Sequence, residues 1–171
     1  MRIGIFGGTF DPVHLGHVRL AKKILKTHSL NRFYFIPVRR SPFKSVAPSA
    51  SAQDRLAMLR LAVDSMRAIK ISRFELERPA PSYTIHTVRF FRRKFPKAEI
   101  FLVMGRDTLR HIRRWRNLRE ILKQTKLLSH ERIGGISSAE IRARLGSGRD
   151  VTGLIPEKVK KYIRRRRLYR K

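Results

Sequence analysis

The sequence predicts an α/β fold with a doubly wound parallel sheet, and three observations support this prediction. The apolar run 3–6 is followed by an amphipathic helical pattern and by a second apolar run, 32–37. A strand, a helix and a strand in this order form a unit whose two strands are parallel. Strand-like runs at 69–74 and 99–104 alternate with further helical patterns, which extends the same arrangement along the chain.

The length and composition indicate one folded domain. The chain has 171 residues, of which 42% are hydrophobic, enough for a full core. We expect a single domain over 1–171, with the sheet in 1–128 and a helical part in 136–171. No apolar run reaches the length of a membrane span, so we expect a cytoplasmic protein without membrane contact. Cysteine is absent, which excludes disulfides, thiol catalysis and thiolate metal sites.

The charge is strongly positive. Lysine and arginine number 41 against 12 acidic residues, a formal net charge of +29. Such a surface attracts polyanions in a salt-dependent way. Two interpretations stay open, a nucleic-acid-binding protein and a basic surface with no specific partner. Since no zinc finger, aromatic RNP pair or GXXG loop is present, we expect incidental binding of RNA rather than specific recognition.

The stretch 7–17 carries the first chemical signal. Gly7 and Gly8 follow the first strand, and His14 and His17 lie one helical turn apart where the first helix begins. Glycines let a backbone approach a phosphate, and the start of a helix favours an anion. A glycine turn without a ligand, and a histidine pair that caps a helix or binds a metal, are the alternatives.

Two later segments also place polar groups at helix starts. Pro81-Ser82-Tyr83-Thr84 leads into a helix for which Ser82 or Thr84 would be the N-cap. Ser137 and Glu140 form a capping box, and Arg142 adds a guanidinium that can bind phosphate through two hydrogen bonds.

The whole run 7–17 resembles the T/HxGH signature of the nucleotidyltransferase superfamily, and Ile136-Ser137-Ser138-Ala139-Glu140-Ile141-Arg142 resembles its ISSTxIR signature, with Ala139 in place of the usual threonine. The resemblance implies a Rossmann-like nucleotidyltransferase fold of the HUP type. It implies that His14, His17 and Arg142 are catalytic and stabilise the triphosphate. The ATP-binding residues that it implies are Gly7, Gly8, Thr9, Phe10, His14, His17, Gly105, Asp107, Ile136, Ser137, Ser138 and Arg142.

Other motifs are similar to those of the nicotinate-nucleotide adenylyltransferases. In that branch, the segment matching Ser82, Tyr83 and Thr84 lies against the nicotinate ring. A tryptophan at the place of Trp115 stacks on the ring, and a lysine occupies the place of Lys44. The resemblance therefore implies that Lys44, Ser82, Tyr83, Thr84 and Trp115 bind the acceptor. It also implies that Asp107 contacts ribose hydroxyls.

The main departure from the branch lies at 124–135. The branch carries a further strand and an Arg-Pro-Gly turn before its last motif, whereas here the segment is short, and we expect a strand to be lost or reduced to 126–128. The C-terminal portion of the fold would then be shortened.

Together these motifs predict adenylyl transfer from ATP to nicotinate mononucleotide, with Mg²⁺ as cofactor and no metal ligand from protein side chains. Nicotinamide mononucleotide and phosphopantetheine are the alternative acceptors. A non-enzymatic relative associated with RNA or the ribosome is the alternative from another class, and the sequence leaves a homo-oligomer open.

Overall fold

The computed structural model describes residues 1–43, 46–131 and 133–170. The predicted lysine at position 44 lies outside the described residues. The strands are β1 (Arg2–Gly8), β2 (Arg32–Pro37), β3 (Ile69–Ile71), β4 (Glu99–Gly105) and β5 (Lys126–His130). The helices are α1 (Leu15–Thr27), α2 (Ala52–Val63), α3 (Thr84–Lys94), α4 (Arg106–Leu109), α5 (Leu118–Gln124), α6 (Ser138–Gly146) and α7 (Glu157–Arg165), with 3-10 turns at Ile112–Arg114 and Ile133–Gly135.

The five strands form one parallel sheet in the order β3-β2-β1-β4-β5. The predicted α/β class and parallel sheet are therefore confirmed. From β1 the chain adds β2 and β3 on one side of the sheet, and it then adds β4 and β5 on the other side of β1. The direction of strand order therefore reverses between β1 and β4. Ligands of open α/β sheets bind beyond the carboxyl ends of the strands at such a reversal, and here those ends are Gly7, Gly8 and Gly105.

Helices cover both faces of the sheet because successive strand residues point to opposite sides. Phe6 and Phe33 pack on one face against α1, α2 and α7, whose buried residues include Ala21, Met58 and Val159. The other face packs against α3 and α5. Two apolar layers thus fix the strand ends at which the polar turns lie.

Several element boundaries differ from the sequence prediction. The third strand ends at Ile71 instead of continuing to 74, and the N-cap of α3 is Tyr83, so neither Ser82 nor Thr84 has that position. The shortened segment retains a strand, β5, that continues to His130. Within the ranges that the structure describes, no helix combines the length and the apolar character needed to cross a bilayer.

Candidate active site

The turn after β1 leaves little room for side chains. A Cβ on Gly8 would lie 2.7 Å from the ring of Phe10, and one on Gly16 would lie 3.0 Å from the carbonyl oxygen of Ile133. Apart from its two chain neighbours, no atom of the described residues lies within 4 Å of the corresponding position on Gly7, which lines the cleft described below. The turn therefore packs tightly on the inside and is open on the side from which a ligand would approach.

The two histidines of this turn stack on each other. Their ring centroids are 3.6 Å apart at an interplanar angle of 23°, so they project from the same side as the sequence predicts. The backbone N–H of His14 donates to Nδ1 of His17 at 3.2 Å, which leaves Nε2 to carry the proton of the neutral ring. Burial lowers the pKa of His17 well below its usual value, and the neighbouring charges of His14 and His130 lower it further.

The serine-arginine turn at the start of α6 lies directly against the first turn. Ser137 caps α6 by accepting a hydrogen bond from the N–H of Glu140 at 3.1 Å, as the capping box predicts. The hydroxyl of Ser138 donates to the carbonyl of Pro12 at 2.9 Å, and Nη1 of Arg142 donates to the carbonyl of Asp11 at 2.6 Å. Two segments far apart in the sequence therefore form one surface.

A cleft of about 860 Å³ lies between these two turns and the end of β4. Most of the predicted ATP-binding residues line it, namely Gly7, His14, His17, Gly105, Asp107, Ile136, Ser137, Ser138 and Arg142. Backbone N–H groups at a helix start, imidazoles and a guanidinium are the groups that bind phosphate in proteins. We refer to this cavity as the phosphate cleft.

Phe10 is placed differently from the other predicted nucleotide-binding residues. Its ring is 2% exposed and lies in the core, with its centroid 5.2 Å from that of Phe35 and 5.0 Å from that of His17. The ring of Phe10 therefore packs against the ring of His17 from the core. Gly8 and Thr9 line a second cavity instead of the phosphate cleft.

That second cavity, of about 450 Å³, contains the predicted acceptor-binding residues. Ser82, Tyr83, Thr84 and Trp115 all line it. The cavity also shares Gly7 and Gly105 with the phosphate cleft, so the two cavities adjoin at the ends of β1 and β4. The guanidinium of Arg116 lies 5.3 Å from the ring centroid of Tyr83, which adds positive charge at the start of α3. We refer to this cavity as the acceptor pocket.

Sequence reasoning missed a buried polar network behind the first turn. The carboxylate of Asp11, 3% exposed, accepts hydrogen bonds from the N–H groups of Ser49 and Ala50 at 2.7 and 3.0 Å. It also accepts one from the hydroxyl of Tyr169 at 2.7 Å, and this contact and burial raise the pKa of Tyr169 far above its usual range. Asp11 lies in the quoted motif, but its partners are too distant in sequence to be seen there.

A third histidine was also missed. His130 ends β5 and lines the phosphate cleft, and its ring lies edge-on to that of Phe6 with a centroid separation of 5.7 Å. Burial lowers its pKa. Its position at the carboxyl end of a parallel strand is the signal that could have indicated it.

Comparison with known proteins places the chain in a family. A sequence model described as cytidylyltransferase-like matches residues 5–161, and the chain belongs to that family.

Two curated relatives illustrate the similarity within the family. A Bacillus subtilis protein named nicotinate-nucleotide adenylyltransferase is 34% identical over 98% of both chains. A Thermus thermophilus protein named probable nicotinate-nucleotide adenylyltransferase is 39% identical over 99% of this chain and 100% of its own length. The resemblance predicted from the motifs is thereby confirmed.

The fold also matches solved structures. The structure of Plasmodium falciparum nicotinic acid mononucleotide adenylyltransferase complexed with NaAD superposes with a TM-score of 0.76 at 21% identity, covering 98% of this chain and 97% of that one. The likeness shows that the chain shares the Rossmann-like fold of that structure.

Proposed function

We propose that this chain transfers the adenylyl group of ATP to nicotinate mononucleotide, giving nicotinate adenine dinucleotide and pyrophosphate. The observation that carries the proposal is the junction of two cavities at the reversal of the sheet. The phosphate cleft holds the stacked His14 and His17 beside Arg142, and the acceptor pocket with Trp115 opens at its edge. The names of the relatives support the same reaction.

The reaction requires positioning and charge stabilisation rather than a protein nucleophile. A phosphate oxygen of the mononucleotide attacks the α-phosphorus in line, the bond to the β-phosphate oxygen breaks, and pyrophosphate leaves. Negative charge grows on the departing oxygens, and donors held in place beforehand stabilise it. His14, His17, Ser137, Ser138 and Arg142 line the cleft in which those oxygens would lie.

The protonation of His17 fits this role. Burial lowers the pKa of His17 and so favours the neutral ring, whose Nε2–H can donate a hydrogen bond to a phosphate oxygen. A bound triphosphate stabilises the cationic ring, since an adjacent opposite charge raises a histidine pKa. Binding of ATP is therefore expected to be coupled to proton uptake.

The remaining ATP contacts are assigned on the motifs and their positions. Gly7 and Gly105 would allow the backbone to approach the nucleotide, and Asp107 would contact ribose hydroxyls.

Ser82, Tyr83 and Thr84 would receive the nicotinate carboxylate of the acceptor at the start of α3, where a carboxylate is stabilised.

We expect Mg²⁺ to accompany the triphosphate. Among the described residues, no group of three or more histidine, cysteine or carboxylate side chains is arranged to hold a metal ion. The phosphate oxygens are then the natural ligands, since Mg²⁺ is commonly bound through substrate phosphates and water. The ion would supply charge neutralisation on the leaving pyrophosphate.

The direct test measures pyrophosphate release from ATP with nicotinate mononucleotide, nicotinamide mononucleotide and phosphopantetheine in turn. We expect turnover to be fastest with nicotinate mononucleotide. Faster release with another acceptor would reassign the acceptor pocket, and no release with any of the three would contradict the enzyme proposal.

A substitution tests the histidine pair. His17→Ala should lower turnover by about 10²-fold or more, because it removes a donor to the charge that develops. His111→Ala is the matched control, since His111 is exposed and lines neither cavity. Equal turnover of His17→Ala and the wild type would refute the assigned role.

The positive charge favours a second candidate. A net charge of +29 would retain RNA by counterion release, with an affinity that falls steeply as salt rises. Co-purification with RNA at moderate salt, together with absent pyrophosphate release, would favour a non-enzymatic relative associated with RNA or the ribosome. RNA binding beside normal turnover would indicate incidental attraction. A cytoplasmic location and a homo-oligomer stay predictions from the sequence.

A further inference from the structure

Glu75 is a buried acid on the wall of the acceptor pocket. It follows β3, is 6% exposed, and lines the same cavity as Ser82, Tyr83 and Trp115. A carboxyl group at this depth is unusual unless it is paired, and no arginine or lysine forms an ion pair with it in the part of the chain described. The site described above assigns it no role.

The carboxyl group connects both sides of the turn that begins α3. The hydroxyl of Thr87, in the first turns of α3, donates to Oε1 of Glu75. The hydroxyl of Ser82, on the other side of Tyr83 and Thr84, lies close enough to lower the pKa of the same carboxyl group. The carboxyl group of Glu75 thus lies between α3 and the segment that precedes it.

The same serine joins the turn to the loop after β2. The N–H of Arg39 donates to Oγ of Ser82 at 3.0 Å, and the N–H of Ser82 donates to the carbonyl of Arg40 at 2.9 Å. Because Oγ already accepts from Arg39, its own proton is available for Glu75. Three segments around the acceptor pocket therefore meet at Ser82 and Glu75.

This arrangement carries a cost in stability. Oε2 of Glu75 is buried and has no hydrogen-bond partner among the described residues. Burial raises the pKa of the group, although Thr87 and Ser82 act to lower it. A buried polar atom without a hydrogen-bond partner lowers the stability of the fold. Groups retained at such a cost are concentrated at functional sites.

We propose that Glu75 is a positioning residue for the acceptor. By accepting the hydrogen bond from Thr87 beside Ser82, it holds the turn at Tyr83 and Thr84 in the orientation that binds the mononucleotide. The inference rests on the proposed function, because it assigns the pocket lined by Trp115 to the acceptor. It predicts an effect on acceptor binding that is separate from ATP binding, since Glu75 lines the acceptor pocket and does not line the phosphate cleft.

Three variants test this role: Glu75→Ala, Glu75→Gln and the matched control Glu77→Gln. Glu77 lies on the same loop, is exposed, and forms an ion pair with Arg73 at 3.1 Å. Glu75→Ala should raise the KM for nicotinate mononucleotide about tenfold or more and leave the KM for ATP within about twofold. Glu75→Gln should fall between, because its amide oxygen can accept from Thr87 while its NH₂ group, unlike a carboxylate oxygen, cannot accept a hydrogen bond. Glu77→Gln should match the wild type.

A second measurement does not depend on turnover. Trp115 is the only tryptophan in the chain, and it lines the acceptor pocket, so its fluorescence reports binding of the mononucleotide directly. Weaker binding to Glu75→Ala in this titration supports the positioning role even if the wild type releases no pyrophosphate. Such a result would separate a failure of the proposed reaction from a failure of the inference.

Parallel increases in both KM values would indicate a general loss of structure and overturn the inference. Unchanged binding of the mononucleotide to Glu75→Ala would also overturn it, with the proposed function left standing. If the mononucleotide binds to neither the wild type nor any variant, both proposals are wrong.

Discussion

Replacing Arg55 by methionine should destabilise the fold more than any exposed arginine in the same helix. Arg55 is 2% exposed, and its Nη1 donates to the carbonyl oxygens of Thr9 and Val38, both at 2.8 Å. Thr9 belongs to the turn after β1, and Val38 follows β2. The guanidinium therefore holds together two loops that flank the acceptor pocket.

The size of the effect follows from these contacts. Hydrogen bonds to a charged group contribute about 1.5–3 kcal/mol each, so two of them amount to roughly 3–6 kcal/mol. The buried Nε of Arg55 has no partner among the described residues, and its removal returns about 1–3 kcal/mol. The expected net loss for Arg55→Met is thus about 2–3 kcal/mol in the free energy of unfolding.

Urea denaturation followed by circular dichroism measures this loss. Arg60→Met is the control, because Arg60 lies in the same helix and is exposed, and it should change the free energy of unfolding by no more than about 0.5 kcal/mol. Equal effects of the two substitutions would show that the buried guanidinium does not bind the loops as described.

Three further outcomes are expected. Burial lowers the pKa of His17, so the unfolded chain binds more protons than the folded chain below about pH 6.5. The urea midpoint of unfolding should therefore fall as the pH is lowered from about 7 to about 5, and it should fall less steeply in His17→Asn. Tyr169→Phe removes a hydrogen bond to a buried carboxylate and should lower the free energy of unfolding by about 1.5–3 kcal/mol, measured by denaturation; an unchanged midpoint would contradict this. Gly8→Ala places a Cβ 2.7 Å from the ring of Phe10 and should cost about 1–3 kcal/mol in a thermal melt, whereas Gly7→Ala, with no atom within 4 Å, should show little loss.

Local signals in the sequence predicted the parts of the molecule that depend on near neighbours. The capping bond of Ser137 forms as predicted, and β1 and β4 end at glycines directly after the apolar runs. The stacked histidines follow from their spacing on one helical turn. These features need only the residues beside them in the chain.

Contacts between distant segments could not be predicted in the same way. Nothing near Glu75 or Arg55 in the sequence indicates that these charged residues are buried, because their partners lie on other loops. An exposed acid on a loop is the ordinary expectation. The predicted N-cap of α3 was wrong for a related reason, since Ser82 bonds to the backbone of Arg39 and Arg40 instead of capping the helix.

The bonds that join the first turn to the rest of the molecule have a consequence for folding. Arg142 and Tyr169 reach Asp11 across 131 and 158 positions of sequence. Contacts of such long range form slowly, since a large loop must close before they contribute. The catalytic surface should consequently be assembled in the last kinetic phase of refolding, and recovery of turnover should lag behind recovery of helical signal.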